Sequence, residues 1–251
     1  MEELILFTLV GLLGLSFGSF ASLVIHRLPL NDSSINLWYP RSFCPHCKTQ
    51  LSPLSIVPLL GYAINNGSCS TCKVKIHIQY IINEILGACL LMYLISTFGL
   101  INPIAWMIFA MLLCFYIQAI MDLNTLLLSQ PISIILLISG LIVNIGFEFF
   151  TVIPDSILGF IFGYGLLFSI NFLYKAVQKR EGIGSGDFLL LSAIGATFGA
   201  SSIGPILLLA SSISLIVHYV NQNPEQKEIP LGFGLGLGAI IYCLIFLAIR
   251  F

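Results

Sequence analysis

Residues 135–150 read ILLISGLIVNIGFEFF, and residues 206–217 read ILLLASSISLIV. One carboxylate is the only charge in these two stretches together, so their surface suits lipid or other apolar helices. The rest of the chain repeats this pattern. Of its 251 residues 58% are hydrophobic and 8% are charged, with a mean hydropathy of +1.02. A soluble domain of this length needs more charge to keep its surface in water. The fold class expected is therefore an all-α polytopic membrane protein with a small metal-binding cytoplasmic loop domain.

Apolar runs place about eight transmembrane helices near 4–25, 79–98, 103–121, 130–148, 153–174, 188–202, 204–219 and 231–249. Spans of roughly 20 residues cross the hydrocarbon. The sixth and seventh share one apolar stretch, split near Gly199–Gly204 where Gly, Ala and Ser cluster; one long tilted helix is the alternative. No internal repeat is evident. With the amino terminus outside, Arg27, Arg41, Lys48, Lys73, Lys75, Lys175, Lys179, Arg180 and Lys227 fall inside and only Arg250 outside. The excess of inner Lys and Arg favours this orientation in the cytoplasmic membrane. The first apolar segment follows Glu2 and Glu3 without a basic stretch, so it reads as a retained span rather than a cleaved signal. The domains expected are a first span at 1–26, a polar cytoplasmic loop domain at 27–78, and a transmembrane domain at 79–251. A net charge of −1 without a basic stripe gives no support to a nucleic-acid role.

The loop carries FCPHC, with Cys44 and Cys47, and SCSTC, with Cys69 and Cys72, the pairs separated by 21 residues. Two C-x-x-C knuckles supply four thiolates to one tetrahedral ion; Zn²⁺ suits them, with iron as the alternative. Four protein ligands leave no open position, so the metal would fold the loop rather than catalyse. Disulfides are disfavoured in a reducing compartment. His46 reads as an exposed loop residue, and Cys89, Cys114 and Cys243 as packed core thiols.

Ionisable residues in or beside spans are costly and point to function. Asp122 ends the third span and Asp187 begins the sixth, so antiparallel helices bring both to one face despite 65 positions of separation. Two close carboxylates cannot both ionise cheaply, which prepares one to take a proton from water and the other to polarise a carbonyl. Asp187 lies near a helix amino terminus and Asp122 near a carboxyl terminus, making Asp122 the expected protonated member. Glu84, in the second span, is a further candidate, with an interhelical hydrogen bond as its structural alternative. Asp155 reads as a solvated outer residue. Gly182, Gly184 and Gly186, in GIGSGD, read as cleft residues allowing positive φ and close approach of a substrate backbone.

Together these segments resemble the bacterial type IV prepilin peptidases, membrane aspartyl proteases, over nearly the full length. GSFASLVIHRLP (18–29), the four cysteines, IHIQYIINEIL (76–86, with Glu84), MDLNTLL (121–127, with Asp122), REGIGSGD (180–187, with Asp187) and IPLGFGLGLGA (229–239) carry the resemblance. The resemblance implies cleavage of the basic leader of prepilins and pseudopilins after glycine at the cytosolic membrane boundary, with Asp122 and Asp187 catalytic. It also implies N-methylation with S-adenosylmethionine in a bifunctional enzyme, with Glu84 as a candidate for that step. The expected partners are prepilin-like proteins and the lipid bilayer. Ser129 and Gln130 stand where the family commonly has Pro-Asp, Leu189 where it often has Lys, and Pro230–Phe233 where it usually reads P-F-G-P. A membrane transporter or channel, and a non-catalytic pilus or secretion assembly factor, are the rival readings.

Overall fold

A computed structural model describes residues 1–30, 34–221 and 228–251; Lys227 of the sequence reading lies outside them. Apart from two isolated antiparallel bridges, Phe43 with Gln50 and Ser68 with Lys75, the regular elements of the described residues are helices: α1 (Glu2–Arg27), α2 (Pro53–Ile56), α3 (Leu60–Ile64), α4 (Gln79–Phe98), α5 (Pro103–Thr125), α6 (Gln130–Phe147), α7 (Ile153–Gln178), α8 (Ser185–Phe198), α9 (Ala200–Asn221) and α10 (Leu231–Arg250). Seven of these are long and apolar enough to cross a membrane, and α8 is a shorter apolar helix. Among the described residues seven helices are thus of spanning length where eight spans were expected, and the sixth expected span falls on the 14-residue α8. The division between the sixth and seventh falls at Gly199, which caps α8 with a φ of +89°. Glycine holds that conformation without a Cβ clash. The protein is a multi-pass membrane protein of all-α class.

The chain forms two compact units, Met1–Phe109 and Ala110–Phe251. In the first, α1 and α4 cross at Gly14, Gly18 and Gly87. A Cβ on Gly18 would lie 2.2 Å from the Asn83 carbonyl oxygen, and one on Gly87 would lie 2.5 Å from that of Gly14. Without a hydrophobic drive between helices in lipid, such close backbone approach and interhelical hydrogen bonds supply the association. The buried Asn83 side chain donates such a bond to Ser22 Oγ, at 2.9 Å. The same helix shows one sequence expectation to be wrong: Cys89 is exposed, not packed in a core. A thiol is apolar enough to face lipid, so burial was not required. Cys243 is buried and Cys114 partly so.

In the second unit α8 is the centre. Residues Leu190–Phe198 are all buried, as a helix apolar on every side must be. Gly159 and Gly163 on α7 meet its backbone: a Cβ on Gly159 would lie 2.1 Å from the Gly195 carbonyl. Asn144 of α6 closes its carboxyl end. The Asn144 amide donates to the carbonyls of Ala196 and Thr197 and accepts the N–H groups of Phe150 and Thr151, and Ser156 Oγ also donates to Ala196. These side chains satisfy carbonyls that a helix end leaves without intrahelical partners. Asp155 is not simply solvated; its carboxylate accepts from Thr151 Oγ1 at 2.9 Å.

Candidate active site and metal centre

The metal loop lies within the first unit. The four sulfurs of Cys44, Cys47, Cys69 and Cys72 lie within 4.8 Å of one another. Two separations across the knuckles, Cys44–Cys72 and Cys47–Cys69, are 3.8 and 3.9 Å. Zn–S bonds of about 2.3 Å in a tetrahedron require sulfur edges near ~3.8 Å, so this donor set fits Zn²⁺. The two knuckles are built alike. Cys44 N–H donates to Thr49 O and Lys48 N–H to Cys44 O, while Cys69 N–H donates to Val74 O and Lys73 N–H to Cys69 O. Lys48 and Lys73 share a φ of +59°. The sequence signal for this local repeat is C-x-x-C-K, present twice, and the sequence reading missed it. Hydrogen bonds from the Thr49 side chain and then its backbone lower the pKa of the Cys47 thiol, while that of Cys72 in the same cluster is raised. His46 is exposed, as expected.

Glu84 is buried on α4 and accepts the N–H of Leu59 at 2.8 Å. Leu59 sits at the amino end of α3 with a φ of +58°. The bond therefore runs from a spanning helix to the loop, where the sequence reading had offered a helix–helix contact.

Asp122 and Asp187 both belong to the second unit. Asp122 stands in the last turn of α5 and is buried. Its Oδ2 accepts the N–H of Phe233 at 2.8 Å, in the first turn of α10, which begins at Leu231. That first turn holds N–H groups without intrahelical partners and carries the positive end of the helix dipole. The carboxyl thus leaves the carboxyl end of its own helix, on which the sequence reading of Asp122 rested, for the amino terminus of another. Asp187 occupies the first turn of α8. Its Oδ1 is buried with no hydrogen-bond partner among the described residues, and its charge is close enough to Asp122 for the two to repel.

Leu128 joins the two carboxyl-bearing ends. A Cβ on Gly186, the residue before Asp187, would lie 2.8 Å from Leu128 Cβ; one on Gly232 would lie 2.8 Å from Leu128 Cδ1 and 2.9 Å from Asp122 Cγ. The Leu128 loop is itself clamped by Gln118, one turn before Asp122. Gln118 accepts from Ser129 N–H and donates to Ser129 O and Ser133 Oγ, at 2.9, 2.8 and 2.7 Å. On the other side, Asn171 Oδ1 accepts the N–H groups of Gly182 and Ile183, at 2.9 and 3.0 Å. Gln118 and Asn171 escaped the sequence reading, although an amide inside an apolar span is itself a signal.

The glycines of GIGSGD keep negative φ, contrary to the sequence reading. Gly182 lies against the Tyr174 ring and Gly186 against Leu128, while Gly184 is exposed beside Asp187 Oδ2. Space, rather than backbone conformation, is what the lack of a Cβ supplies here.

The protein is thus a multi-pass helical membrane protein with a four-cysteine cluster able to hold a metal ion. Residues 12–98 match the Bacterial Peptidase A24 N-terminal domain, and residues 106–219 match the Type IV leader peptidase family. The chain is 32% identical over 255 residues to a prepilin leader peptidase/N-methyltransferase of Aeromonas hydrophila, covering 90% of this chain and 86% of that one. It is 35% identical over 248 residues to the protein of that description from Pseudomonas aeruginosa, covering 89% and 84%. No solved structure matches. The chain belongs to the type IV prepilin leader peptidase/N-methyltransferase family.

Proposed function

We propose that this chain is a membrane aspartyl endopeptidase that removes the leader of prepilins and pseudopilins after glycine, at the cytoplasmic face of the inner membrane. One observation supports the reading: Leu128 packs against both Gly186, the residue before Asp187, and Gly232, which lies against Asp122, so the two carboxyl-bearing helix ends share a neighbour, and Asp187 Oδ1 is buried without a partner among the described residues. Family membership supports the substrate class, and the distribution of Lys and Arg supports the sidedness.

In this mechanism Asp122, held by the amino end of α10, is the carboxylate that takes a proton from the attacking water. Asp187 enters protonated and donates to the scissile carbonyl oxygen. The water oxygen bonds to the carbonyl carbon and gives a neutral diol. Asp122 then returns its proton to the leaving nitrogen as the C–N bond breaks, and Asp187 recovers its proton from the diol hydroxyl. No covalent bond to the enzyme forms. Gly182, Gly184 and Gly186 would shape the cleft, with Gly184 beside Asp187 Oδ2 and the other two packed against Tyr174 and Leu128. Cys44, Cys47, Cys69 and Cys72 would hold Zn²⁺, which supplies four fixed bonds to a loop too small for a core of its own.

N-methylation of the new amino terminus rests on family membership; S-adenosylmethionine would supply the electrophilic methyl group when bound. Glu84 is the candidate residue for that activity, and its described hydrogen bond is to the loop. The test is incubation of a model prepilin with the purified chain in liposomes, with and without S-adenosylmethionine, followed by mass spectrometry of the product. Cleavage after the leader glycine supports the peptidase, and a further methyl mass supports the second activity. An uncleaved substrate would favour an assembly or transport role.

A further inference from the structure

Two exposed apolar patches lie on the first unit, and each is tied to the end of a spanning helix. The first is the turn 36–39. The buried Arg27, last residue of α1, donates from Nη1 to the Asn36 carbonyl at 2.8 Å. Asn36 Oδ1 in turn accepts the N–H groups of Trp38 and Tyr39, at 2.8 and 2.7 Å. This holds Trp38 and Tyr39 in place with 90% and 69% of their surface exposed.

The second patch is the pair of short helices α2 and α3. From Leu51 to Gly67 the chain has no charged residue, although it lies between two basic knuckles. Leu54, Leu60 and Ile64 are 66%, 58% and 59% exposed. The Leu59 N–H, between α2 and α3, is held by Glu84. Glu84 lies five residues into α4, about 7–8 Å along its axis, so the linker is fixed beside the first turns of a spanning helix.

Water is a poor solvent for either patch, and neither is folded inward. Trp and Tyr concentrate at the boundary between hydrocarbon and water, and short helices with an apolar face lie in that layer. Arg41, Lys48, Lys73 and Lys75 beside them suit anionic headgroups. We infer that the cysteine loop lies down on the bilayer, with Trp38 and the α2–α3 pair inserted into the interfacial layer of the leaflet where α1 ends and α4 begins. Arg27 and Glu84 fix the depth of the two insertions. The partner is lipid, and the surface is continuous with the lipid-facing sides of the two helices.

Fluorescence quenching of the full chain, in vesicles of phosphatidylethanolamine and phosphatidylglycerol, tests this. Trp38 and Trp106 are the only tryptophans, so Trp106→Phe leaves Trp38 as sole reporter. A second chain, Trp38→Phe, Trp106→Phe and Leu60→Trp, reports on α3. Retained zinc content serves as the folding check for both. Lipids brominated in the upper acyl chain should reduce emission about twofold or more at both positions, with little effect of aqueous iodide. Quenching by iodide without bromolipid quenching at either position would overturn the inference. So would protection from both quenchers, which would mean that protein, such as a second copy, covers the surface.

Discussion

Asp122 Oδ2 accepts a 2.8 Å hydrogen bond from the backbone N–H of Phe233, a residue 111 positions further along the chain. The carboxyl therefore has two roles: it completes the first turn of α10 and, by the proposed function, acts together with Asp187. Substitutions can separate these roles. Asn at position 122 keeps an oxygen acceptor for Phe233, so Asp122→Asn should unfold within about 1 kcal/mol of the parent. Asp122→Ala leaves a buried N–H unpaired and should cost about 1–3 kcal/mol. Denaturant or thermal unfolding in nanodiscs measures the difference. Equal stability of the two variants would mean that the bond contributes nothing to the fold.

Gly232 sets the position of that carboxyl. An added methyl would lie 2.9 Å from Asp122 Cγ and 2.8 Å from two Leu128 carbons. Leu128 can turn aside, but Asp122 has to shift by a few tenths of an ångström or more. Misplacement on this scale costs up to about 10²-fold in rate. Gly232→Ala is expected to lower leader cleavage at least about tenfold while the protein stays folded. Leader-cleavage rates with matched circular dichroism check this, and parental activity would contradict it.

The spans were legible because membrane-crossing helices announce themselves in composition and length. Gly199 marked the α8–α9 break for a reason visible in sequence, a cluster of small residues in an apolar run. The aspartates were singled out because ionisable residues in or beside spans are costly and because antiparallel spans set both at one face. What escaped was everything that depends on which helix end meets which. Asp122 was judged by its own helix, and no local pattern says that Phe233 lies opposite. Leu128 looked like any loop leucine, yet it packs against the neighbours of both carboxyls. Cys89 was placed in a core by a rule learned from water, where an exposed thiol and a lipid-facing one are not the same case.

The zinc loop yields a prediction that needs no substrate. Purified chain should carry one zinc, and Cys47→Ser or Cys69→Ser should carry much less, since four thiolates complete the tetrahedron. Removal of the metal should expose residues 44–75 to protease while helix content is nearly kept, because structural zinc folds its own loop. Metal analysis and limited proteolysis check this. A loop equally resistant after chelation would contradict it.

Glu84→Gln separates loop architecture from methyl transfer. The amide oxygen still accepts from Leu59 N–H, so zinc content and leader cleavage should stay within about twofold of the parent. If the Glu84 charge serves methylation, the same variant should lose most of that activity. Mass spectrometry of one reaction reads both. Full methylation by Glu84→Gln would remove Glu84 from that role and leave it as the support of the loop.

The carboxyl pair is tested most directly by the rate of leader cleavage of a model prepilin in liposomes, for the parent, Asp122→Asn and Asp187→Asn, with all three shown to be folded and zinc-loaded. Loss of either member should leave at most about a thousandth of the parental rate, because the proton taken from water and the proton given to the carbonyl belong to one transition state. Substantial cleavage by either variant would contradict a mechanism in which both carboxyls act.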